Sequence, residues 1–290
     1  MTEFGAHPQA RPGAGRKVLV TGAAGRIGKI TCAGLAARGW HVRGLDVAPL
    51  DGVDGLADPP VIADVRDAEV VRRATEGMEA VVHLAGVSTE APFPEILGPN
   101  IEGTFVVFDA ARREGVRRVV YASSNHAVGY TPRSALATVD LPPRPDTYYG
   151  LSKVFGEALG RLMVDRYGME VVSLRIGSWK DRPTSVRELS TWISPADGVR
   201  LVHAALSAPD VGYAVVYGIS ANTRAWWDLA PARALGYLSV DDAEDYAEGI
   251  LAEQGEPDRS DLALARLGGR FAGPDYDEPG LGRPRTADPR

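Results

Sequence analysis

The sequence predicts an α/β protein with a doubly wound parallel sheet and a small C-terminal capping region. From Lys17 onward, short runs rich in β-branched residues, such as KVLVTG and AVVHLAG, alternate with longer segments of helical periodicity. Several of these runs are apolar throughout, which is typical of strands buried on both faces of a sheet. This alternation indicates parallel strands that are joined by right-handed crossovers.

Two rounds of alternation define the sheet. The first contains the strand KVLVTG, a helix to Arg38, the strands WHVRGLD and PPVIADV, a helix through Ala74 and the strand AVVHLAG. The second contains a helix over 95–114, the strand RRVVYASS, a helix over 146–167 and the strand EVVSLRIG. After Gly177 the pattern changes to a polar loop, a helix over 195–207, the strand YAVVYGIS and two short helices near Trp227 and Asp242.

This change of pattern divides the predicted fold into four parts. Residues 17–180 form the sheet domain, and residues 181–270 form a capping region packed on the same domain. The cap is expected over the carboxyl edge of the sheet, where open α/β sheets bind their ligands. Residues 1–16 and 271–290 are rich in Gly, Pro and Arg, lack periodicity and are predicted to be mobile tails.

The composition excludes several classes of protein. Hydrophobic residues make up 44% of the 290-residue chain and charged residues 24%, as in ordinary globular domains. The net charge of −6 and the scattered Lys and Arg residues argue against a nucleic-acid partner. The sequence has no apolar run of membrane-spanning length and no hydrophobic leader, so we expect a cytoplasmic protein without a membrane partner. The single cysteine, Cys32, is expected to be a buried thiol.

The first strand runs directly into TGAAGRIG, which places Gly22, Gly25 and Gly28 at a turn between strand and helix. Glycines there permit a tight turn and let backbone N–H groups approach a diphosphate, whose charge the helix N-terminus stabilises. Small residues at such a turn also serve helix–sheet packing. The position at the head of an alternating sheet favours dinucleotide binding by a Rossmann domain over residues 17–180.

Asp46 ends the second strand, at the distance where this fold places an acid on the adenosine ribose. A carboxylate accepts hydrogen bonds from two ribose hydroxyls and repels a phosphate, which favours NAD over NADP. The alternative is a solvated acid at a strand end. Arg43 lies nearby, but strand alternation directs it to the opposite face, which weakens an NADP interpretation.

Other contacts to the cofactor are expected from residues in the glycine turn or at strand ends. Asp64 is placed to hydrogen-bond the adenine and Val65 to pack on it, whereas Leu84, Ala85 and Gly86 are small enough to admit the cofactor. Apolar residues at strand ends also commonly belong to the core. The full predicted set also includes Arg26, Ile27, Asn100, Tyr149, Lys153 and Ile176.

A candidate catalytic unit comes from YYGLSK, in which Tyr149 and Lys153 are four residues apart on one helix face. The unperturbed pKa of tyrosine is about 10, and a nearby ammonium is expected to lower it and make Tyr149 a proton acceptor. Lys153 also has the reach to hold a ribose hydroxyl. Ser124 ends the preceding strand, where its hydroxyl would orient the reacting oxygen of a substrate. This unit needs no metal; the alternative is an exposed helix pair beside a capped loop.

In combination, these motifs resemble those of the extended short-chain dehydrogenases. The resemblance rests on TGAAGRIG, the Asp after the second strand, HLAG, the Asn of PNIEGT, the Ser ahead of the Tyr, and YGLSK, all in the same order between Lys17 and Gly177. It implies a Rossmann fold, an oxidoreductase activity and NAD as the cofactor.

Further segments resemble the uronate dehydrogenases within that superfamily, among them GVSTEAPFPEIL, ASSNHAVGYTP, LRIGSW, RELSTWIS and ISANTRAWWD. This resemblance implies oxidation of the anomeric carbon of a hexuronate, D-glucuronate or D-galacturonate, to an aldarolactone by a homo-oligomer. By position, Arg187 would bind the substrate carboxylate with charge-assisted hydrogen bonds, and Asn100 would support the site. Trp179 is a departure from this resemblance, because the family has a smaller residue at that position. The other residues expected around the sugar are Ser88, Ser124, Asn125, His126 and Ser178.

Two alternatives stay open at this point. Another extended dehydrogenase, such as a sugar-nucleotide epimerase or reductase, must also hold a nucleotide, for which the cap is short and poor in basic residues. A catalytically silent NAD-sensing regulator would use the fold only to bind partners. Such a regulator has no need for Ser124, Tyr149 and Lys153 together.

Overall fold

The computed structural model describes residues 16–133, 136–256 and 262–273. Seven strands of these residues form one sheet in the order β3-β2-β1-β4-β5-β6-β9, and every neighbouring pair is parallel. A second, two-stranded sheet joins β7 to β8. The strands are β1 (Lys17–Thr21), β2 (His41–Asp46), β3 (Val61–Ile62), β4 (Ala80–His83), β5 (Arg118–Ser124), β6 (Glu170–Ile176), β7 (Ser178–Trp179), β8 (Trp192–Ile193) and β9 (Tyr213–Gly218).

Helices connect the strands and cover both faces of the large sheet. They are α1 (Arg26–Ala36), α2 (Ala68–Thr75), α3 (Phe93–Ile96), α4 (Gly103–Arg113), α5 (Tyr148–Tyr167), α6 (Glu188–Thr191), α7 (Pro195–Ser207), α8 (Ala230–Ala234), α9 (Ala247–Gln254) and α10 (Leu262–Ala265). A π-helical turn (Leu97–Glu102) joins α3 to α4, and 3-10 turns lie at Asn125–Val128, Ala243–Tyr246 and Gly269–Ala272. No helix in the described parts of the chain is long and apolar enough to cross a membrane.

The core lies in two layers because successive side chains of a strand point to opposite faces of the sheet. Val18 and Val20 of β1 belong to one buried cluster with Leu35 of α1, whereas Leu19 between them belongs to the other with Phe108 of α4. The predicted doubly wound parallel sheet is confirmed. Winding reverses between β1 and β4, and ligands bind at the carboxyl ends of the strands beside such a reversal.

The predicted boundary between sheet domain and cap at residue 180 is wrong for one segment. Helix α7 packs against α1, and β9 pairs with β6 from Val171–Tyr213 to Ile176–Gly218. Residues 195–218 therefore complete the sheet. The rest of the predicted capping region contains β8 and helices α6 and α8–α10, which lie outside the large sheet.

The predicted C-terminal tail also begins too early. Phe271 lies in the 3-10 turn Gly269–Ala272, and its ring stacks on the ring of His126 with centroids 4.5 Å apart. Phe271 is therefore part of the packed molecule. The predicted tail segments 1–15 and 274–290 lie outside the described residues.

The structure also tests the predictions for the third strand, for the helix over 146–167 and for Cys32. The predicted third strand is reduced to Val61–Ile62. The helix predicted over 146–167 begins at Tyr148, because Thr147 is its N-cap and accepts a hydrogen bond from Gly150 N–H. Cys32 is fully buried as predicted, and burial raises the pKa of its thiol to about 12.

Candidate active site

A cavity of about 830 Å³ lies at the carboxyl ends of β1, β2, β4, β5 and β6. It brings together almost all of the residues predicted from the motifs. Asn100 and Arg187 are the two predicted residues that do not line it. Those that do are Gly22, Gly25, Arg26, Ile27, Gly28, Asp46, Asp64, Val65, Leu84, Ala85, Gly86, Ser88, Ser124, Asn125, His126, Tyr149, Lys153, Ile176 and Ser178.

The glycine turn between β1 and α1 forms one end of the cavity. Gly22 has a φ of +71°, and a Cβ at this position would lie 2.7 Å from the backbone nitrogen of Ala85. A Cβ at Gly28 would lie 2.1 Å from the carbonyl oxygen of Gly22. No side chain among the described residues caps α1, so its first N–H groups are open to the cavity. This turn fits the diphosphate of a dinucleotide.

Asp46 connects the end of β2 to the glycine turn. Its carboxylate accepts hydrogen bonds from the backbone N–H groups of Ala24 at 2.9 Å and Ala48 at 3.0 Å. These contacts hold the acid at the cavity wall, where it can accept from ribose hydroxyls. Arg43 does not line the cavity and forms an ion pair with Asp58 at 2.8 Å. This agrees with the prediction that its side chain points to the opposite face of the sheet from Asp46.

The expected adenine contacts lie at the outer part of the cavity. Asp64 forms a two-point hydrogen bond with the guanidinium of Arg66, with distances of 3.0 Å and 2.6 Å to Asp64 Oδ2. This partner lowers the pKa of Asp64 below its usual range. Val65 is buried and packs against Gly103. This contact leaves little room for a residue larger than glycine at position 103. Whether Asp64 accepts from adenine stays a prediction.

Ser124, Tyr149 and Lys153 meet in the middle of the cavity. Ser124 is the last residue of β5, and Tyr149 and Lys153 project from the first two turns of α5. Ser124 and Tyr149 both line the cavity, and the Lys153 ammonium lies 5.2 Å from the centre of the Tyr149 ring. A phenol, a hydroxyl and an ammonium therefore converge on one point, as the spacing predicted.

The protonation of this unit differs from the expectation. Burial raises the pKa of Tyr149 to about 12, although the hydrogen bond with Ser124 acts in the opposite direction. Burial also lowers the pKa of Lys153 to about 8. The predicted lowering of the tyrosine pKa by the ammonium is wrong for the protein alone, because removing both groups from water has a larger effect than their proximity.

Asn100 supports the cavity wall from behind. Its side-chain oxygen accepts from Val87 N–H at 2.7 Å, and its amide nitrogen donates to Val87 O at 2.9 Å and to Ser152 Oγ at 3.1 Å. It thereby joins the loop that carries Ser88 to the helix that carries Tyr149. This arrangement agrees with the supporting role implied by the resemblance, and direct cofactor contact stays a prediction.

His126 is oriented by two residues that the sequence analysis did not identify. Its Nδ1 lies 2.8 Å from the fully buried carboxylate of Asp146, and Phe271 stacks on its ring. Because Asp146 occupies Nδ1, the other ring nitrogen is available for a ligand hydroxyl. Asp146 lies on a loop, and Phe271 is distant in sequence, so no local pattern pointed to either residue.

The remaining predicted sugar contacts are held by hydrogen bonds within the protein. Ser178 Oγ lies 3.2 Å from Thr191 Oγ1. The amide of Asn125 donates to the carbonyl of Leu267 at 3.0 Å, and the guanidinium of Arg187 donates to the same carbonyl. Arg187 is thus connected to Asn125 in the cavity wall through the carbonyl of Leu267. Burial lowers its pKa to about 10, although the negative charges of Asp146 and Glu188 act in the opposite direction; among the described residues neither carboxylate forms a direct ion pair with it.

Glu90 is another residue that sequence reasoning missed. It is buried, and its carboxylate accepts from the backbone N–H groups of Tyr149 at 2.8 Å and Tyr148 at 3.3 Å. Burial raises the pKa of this carboxyl above its usual range. The sequence STEAPF alone does not indicate a role for this acid. The role becomes visible only when the fold shows that this segment meets the start of α5.

Comparison with known proteins agrees with this geometry. The NAD dependent epimerase/dehydratase family matches residues 18–180. A uronate dehydrogenase from Pseudomonas syringae pv. tomato is 43% identical over 88% of this chain and 92% of that protein. A crystal structure of a tyrosine-to-alanine variant of uronate dehydrogenase from Agrobacterium tumefaciens, complexed with NAD, is 40% identical with a TM-score of 0.85, covering 93% of this chain and all of that one.

A relative with a different activity is the NAD-dependent glucose-6-phosphate dehydrogenase of Haloferax volcanii, which is 39% identical over 79% of this chain and 95% of that protein. The matched family covers the glycine turn, the acid after β2 and the Ser124, Tyr149 and Lys153 unit, all of which line the cavity described above. The chain therefore belongs to the NAD-dependent epimerase/dehydratase family.

Proposed function

We propose that this protein oxidises the anomeric carbon of a hexuronate, D-glucuronate or D-galacturonate, to an aldarolactone with NAD. One observation carries the proposal: Ser124, Tyr149 and Lys153 converge inside a cavity whose other end is the glycine turn. The high identity to uronate dehydrogenases over most of the chain supports the choice of substrate class.

In the proposed mechanism, Ser124 orients the anomeric hydroxyl and Tyr149 accepts its proton. Lys153 favours the phenolate form through its positive charge and is placed to hold a ribose hydroxyl of the cofactor. NAD, held by the glycine turn and Asp46, would supply the hydride acceptor. The buried position of Tyr149 keeps bulk water away from the proton that it receives.

The position of Arg187 is an argument for a substrate that carries a carboxylate. The guanidinium of Arg187 is partly buried and feels the charge of Asp146 only without a direct ion pair, and a bound uronate would supply a carboxylate in direct contact. The main-chain carbonyls of Arg266 and Leu267 accept its hydrogen bonds in this structure. We infer that the sugar carboxylate replaces one of these contacts, with a movement of the segment that ends in Phe271.

The test is to follow NADH absorbance with D-glucuronate, D-galacturonate, D-glucose and glucose 6-phosphate side by side. We expect turnover with the uronates and much lower kcat/KM with the neutral sugar and the sugar phosphate. The sugar phosphate is included because of the relative from Haloferax volcanii. A preference for glucose 6-phosphate, or turnover only with sugar nucleotides, would refute the proposed substrate.

A Tyr149→Phe variant tests the proposed base in the same assay. It should lose most turnover and keep nearly unchanged NAD binding, because the glycine turn and Asp46 are untouched.

We further propose that the enzyme works in the reducing cytoplasm. The buried thiol of Cys32 is compatible with that compartment.

A further inference from the structure

Lys153 keeps its ammonium group in a largely desolvated position. The side chain is 7% exposed, and no hydrogen bond or ion pair joins Nζ to another of the described residues. Instead, Nζ lies over two aromatic rings, 5.2 Å from the centre of Tyr149 and 5.3 Å from the centre of Tyr121. Both distances are within the range at which a ring face attracts a cation.

The ring of Tyr121 is fixed on every side. It belongs to β5, is 1% exposed, stacks on His83 with centroids 5.8 Å apart and meets Phe108 edge-on at 6.0 Å. Gly156 of α5 leaves the space that the ring fills, because a Cβ there would lie 2.2 Å from the ring carbon Cζ. The ring therefore has one available position, and in that position its face meets the ammonium.

The other titratable groups around this pair do not balance the charge of Lys153. Burial, reinforced by the positive charge of Lys153, lowers the pKa of His83 to about 3, so this imidazole is neutral near pH 7. The carboxylate of Glu157 accepts from Arg175 at 2.9 Å and 2.8 Å and from Ser123 at 2.6 Å. It is thus already paired.

We propose that Tyr121 is a positioning residue whose ring face holds the Lys153 ammonium in its charged form beside Tyr149. Burial lowers the pKa of Lys153 to about 8, so a small change in stabilisation decides how much ammonium is present near neutral pH. The hydroxyl of Tyr121 has a lesser role, since its contact with Ser152 O is long, at 3.4 Å. The arrangement itself does not depend on the identity of the sugar.

The first test measures the charge of Lys153 directly, in protein without cofactor or sugar. The chain has only four lysines, so ¹³C-labelled lysine gives few side-chain NMR signals, and Lys153→Arg identifies the relevant one. The comparison is between Tyr121→Phe and replacement of Tyr121 by trifluorophenylalanine, which keeps the ring shape but withdraws electron density from its face. We expect the wild-type pKa with Phe and a pKa lower by about one pH unit with the fluorinated ring.

The second test uses the pH dependence of kcat/KM and rests on the proposed function. The fluorinated variant should retain wild-type rates at low pH, where Lys153 is charged in any case. Its profile should level off about one pH unit earlier, on a plateau about tenfold lower. A merely misfolded site would lower the rate equally at every pH.

A matched control is Tyr217→Leu, compared with Tyr121→Leu. Tyr217 is also fully buried and also lies beside a cation, but that cation is the Arg175 guanidinium, 5.9 Å from its ring centre, and not Lys153. Only Tyr121→Leu should shift the break in the profile. Equal lysine pKa values with the plain and the fluorinated ring would overturn the proposal, and so would a shifted pKa in Tyr121→Phe.

Discussion

At the scale of single residues, the protonation of Tyr149 and Lys153 fixes how the proposed oxidation depends on pH. The reactive form has Tyr149 deprotonated and Lys153 protonated. With pKa values of about 12 and about 8, the phenolate fraction rises throughout the accessible range, whereas the ammonium fraction falls above pH 8. The two trends cancel between these values, since each changes about tenfold per pH unit.

We therefore expect kcat/KM for a uronate to rise about tenfold per pH unit up to about pH 8 and then to stay level. The measurement is the initial rate of NADH formation at low uronate concentration between pH 5.5 and 9.5. In a Lys153→Arg variant, whose cation stays charged, the break near pH 8 should disappear. A flat profile below pH 8 would contradict these assignments.

Arg187 is the residue whose role depends most on the substrate. Arg187→Ala should raise KM for glucuronate about ten- to a hundredfold, because a charge-assisted hydrogen bond contributes about 1.5–3 kcal/mol. The KM of any measurable neutral sugar should change little. An equal loss with both sugars, accompanied by a lower melting temperature, would instead assign Arg187 to holding the carbonyls of Arg266 and Leu267.

Residues that act within a local motif were predictable, and residues that act across the fold were not. Tyr149 and Lys153 share a helix face at a fixed spacing, and Gly22 needs a backbone conformation that favours glycine. Asp146 and Glu90 reach His126 and the start of α5 only through the packing of loops. The pKa values of the catalytic pair were also out of reach, because they depend on burial.

At the scale of elements, the start of α5 determines where Tyr149 lies. Three of the N–H groups in its first turn have side-chain acceptors: Thr147 accepts from Gly150, and Glu90 accepts from Tyr148 and Tyr149. Unpaired N–H groups at a buried helix start would be costly. Glu90 therefore joins the loop of Ser88 to the catalytic helix, as Asn100 does from the other side.

Glu90→Ala should lower the free energy of unfolding by about 1–2 kcal/mol and also reduce kcat, because it frees the N–H of Tyr149 itself. The control is Asp242→Ala, since Asp242 also accepts from two backbone N–H groups, those of Thr223 and Glu244, away from the cavity. Thermal unfolding and kcat are measured for both variants. If Asp242→Ala reduces kcat as much as Glu90→Ala does, the effect is one of general stability.

The order and type of the main elements could be read from periodicity, since long apolar runs and helical faces are local properties. The helix over Pro195–Ser207 follows the pattern directly, with Ser194 as its N-cap. The π-helical turn that continues α3 into α4 has no such pattern, because it depends on the packing of Asn100 against Val87 and Ser152. The third strand is short for a similar reason: only two of its residues pair with β2.

At the scale of the whole molecule, the division between sheet and cap was the main error. The chain leaves the sheet after β6, adds β7 and α6 to the cap, and then returns to build α7 and β9. The change of rhythm after Gly177 marks the first departure, but nothing in the amino-acid pattern of YAVVYGIS says which sheet the strand joins. Pairing partners are a tertiary property.

We propose that the protein is a homo-oligomer, as the family resemblance implies. The outer surfaces of α4 and α5 expose the apolar side chains of Phe105, Leu151 and Leu162, which a second subunit would cover. Light scattering should give a mass that is a multiple of 30.9 kDa, and Leu162→Lys should lower it. A mass of one subunit at all concentrations would contradict this prediction.

The carboxylate of Asp146 lies between two backbones, because a Cβ at Gly129 or at Gly268 would come within 1.9 Å or 1.8 Å of its Oδ2 atom. Neither glycine belongs to a nucleotide motif, and the two lie on separate segments of the chain. A methyl group at either position would push the acid off the His126 imidazole. Saturation mutagenesis that found both sites intolerant would thus be reporting on the orientation of the His126 imidazole rather than on loop flexibility.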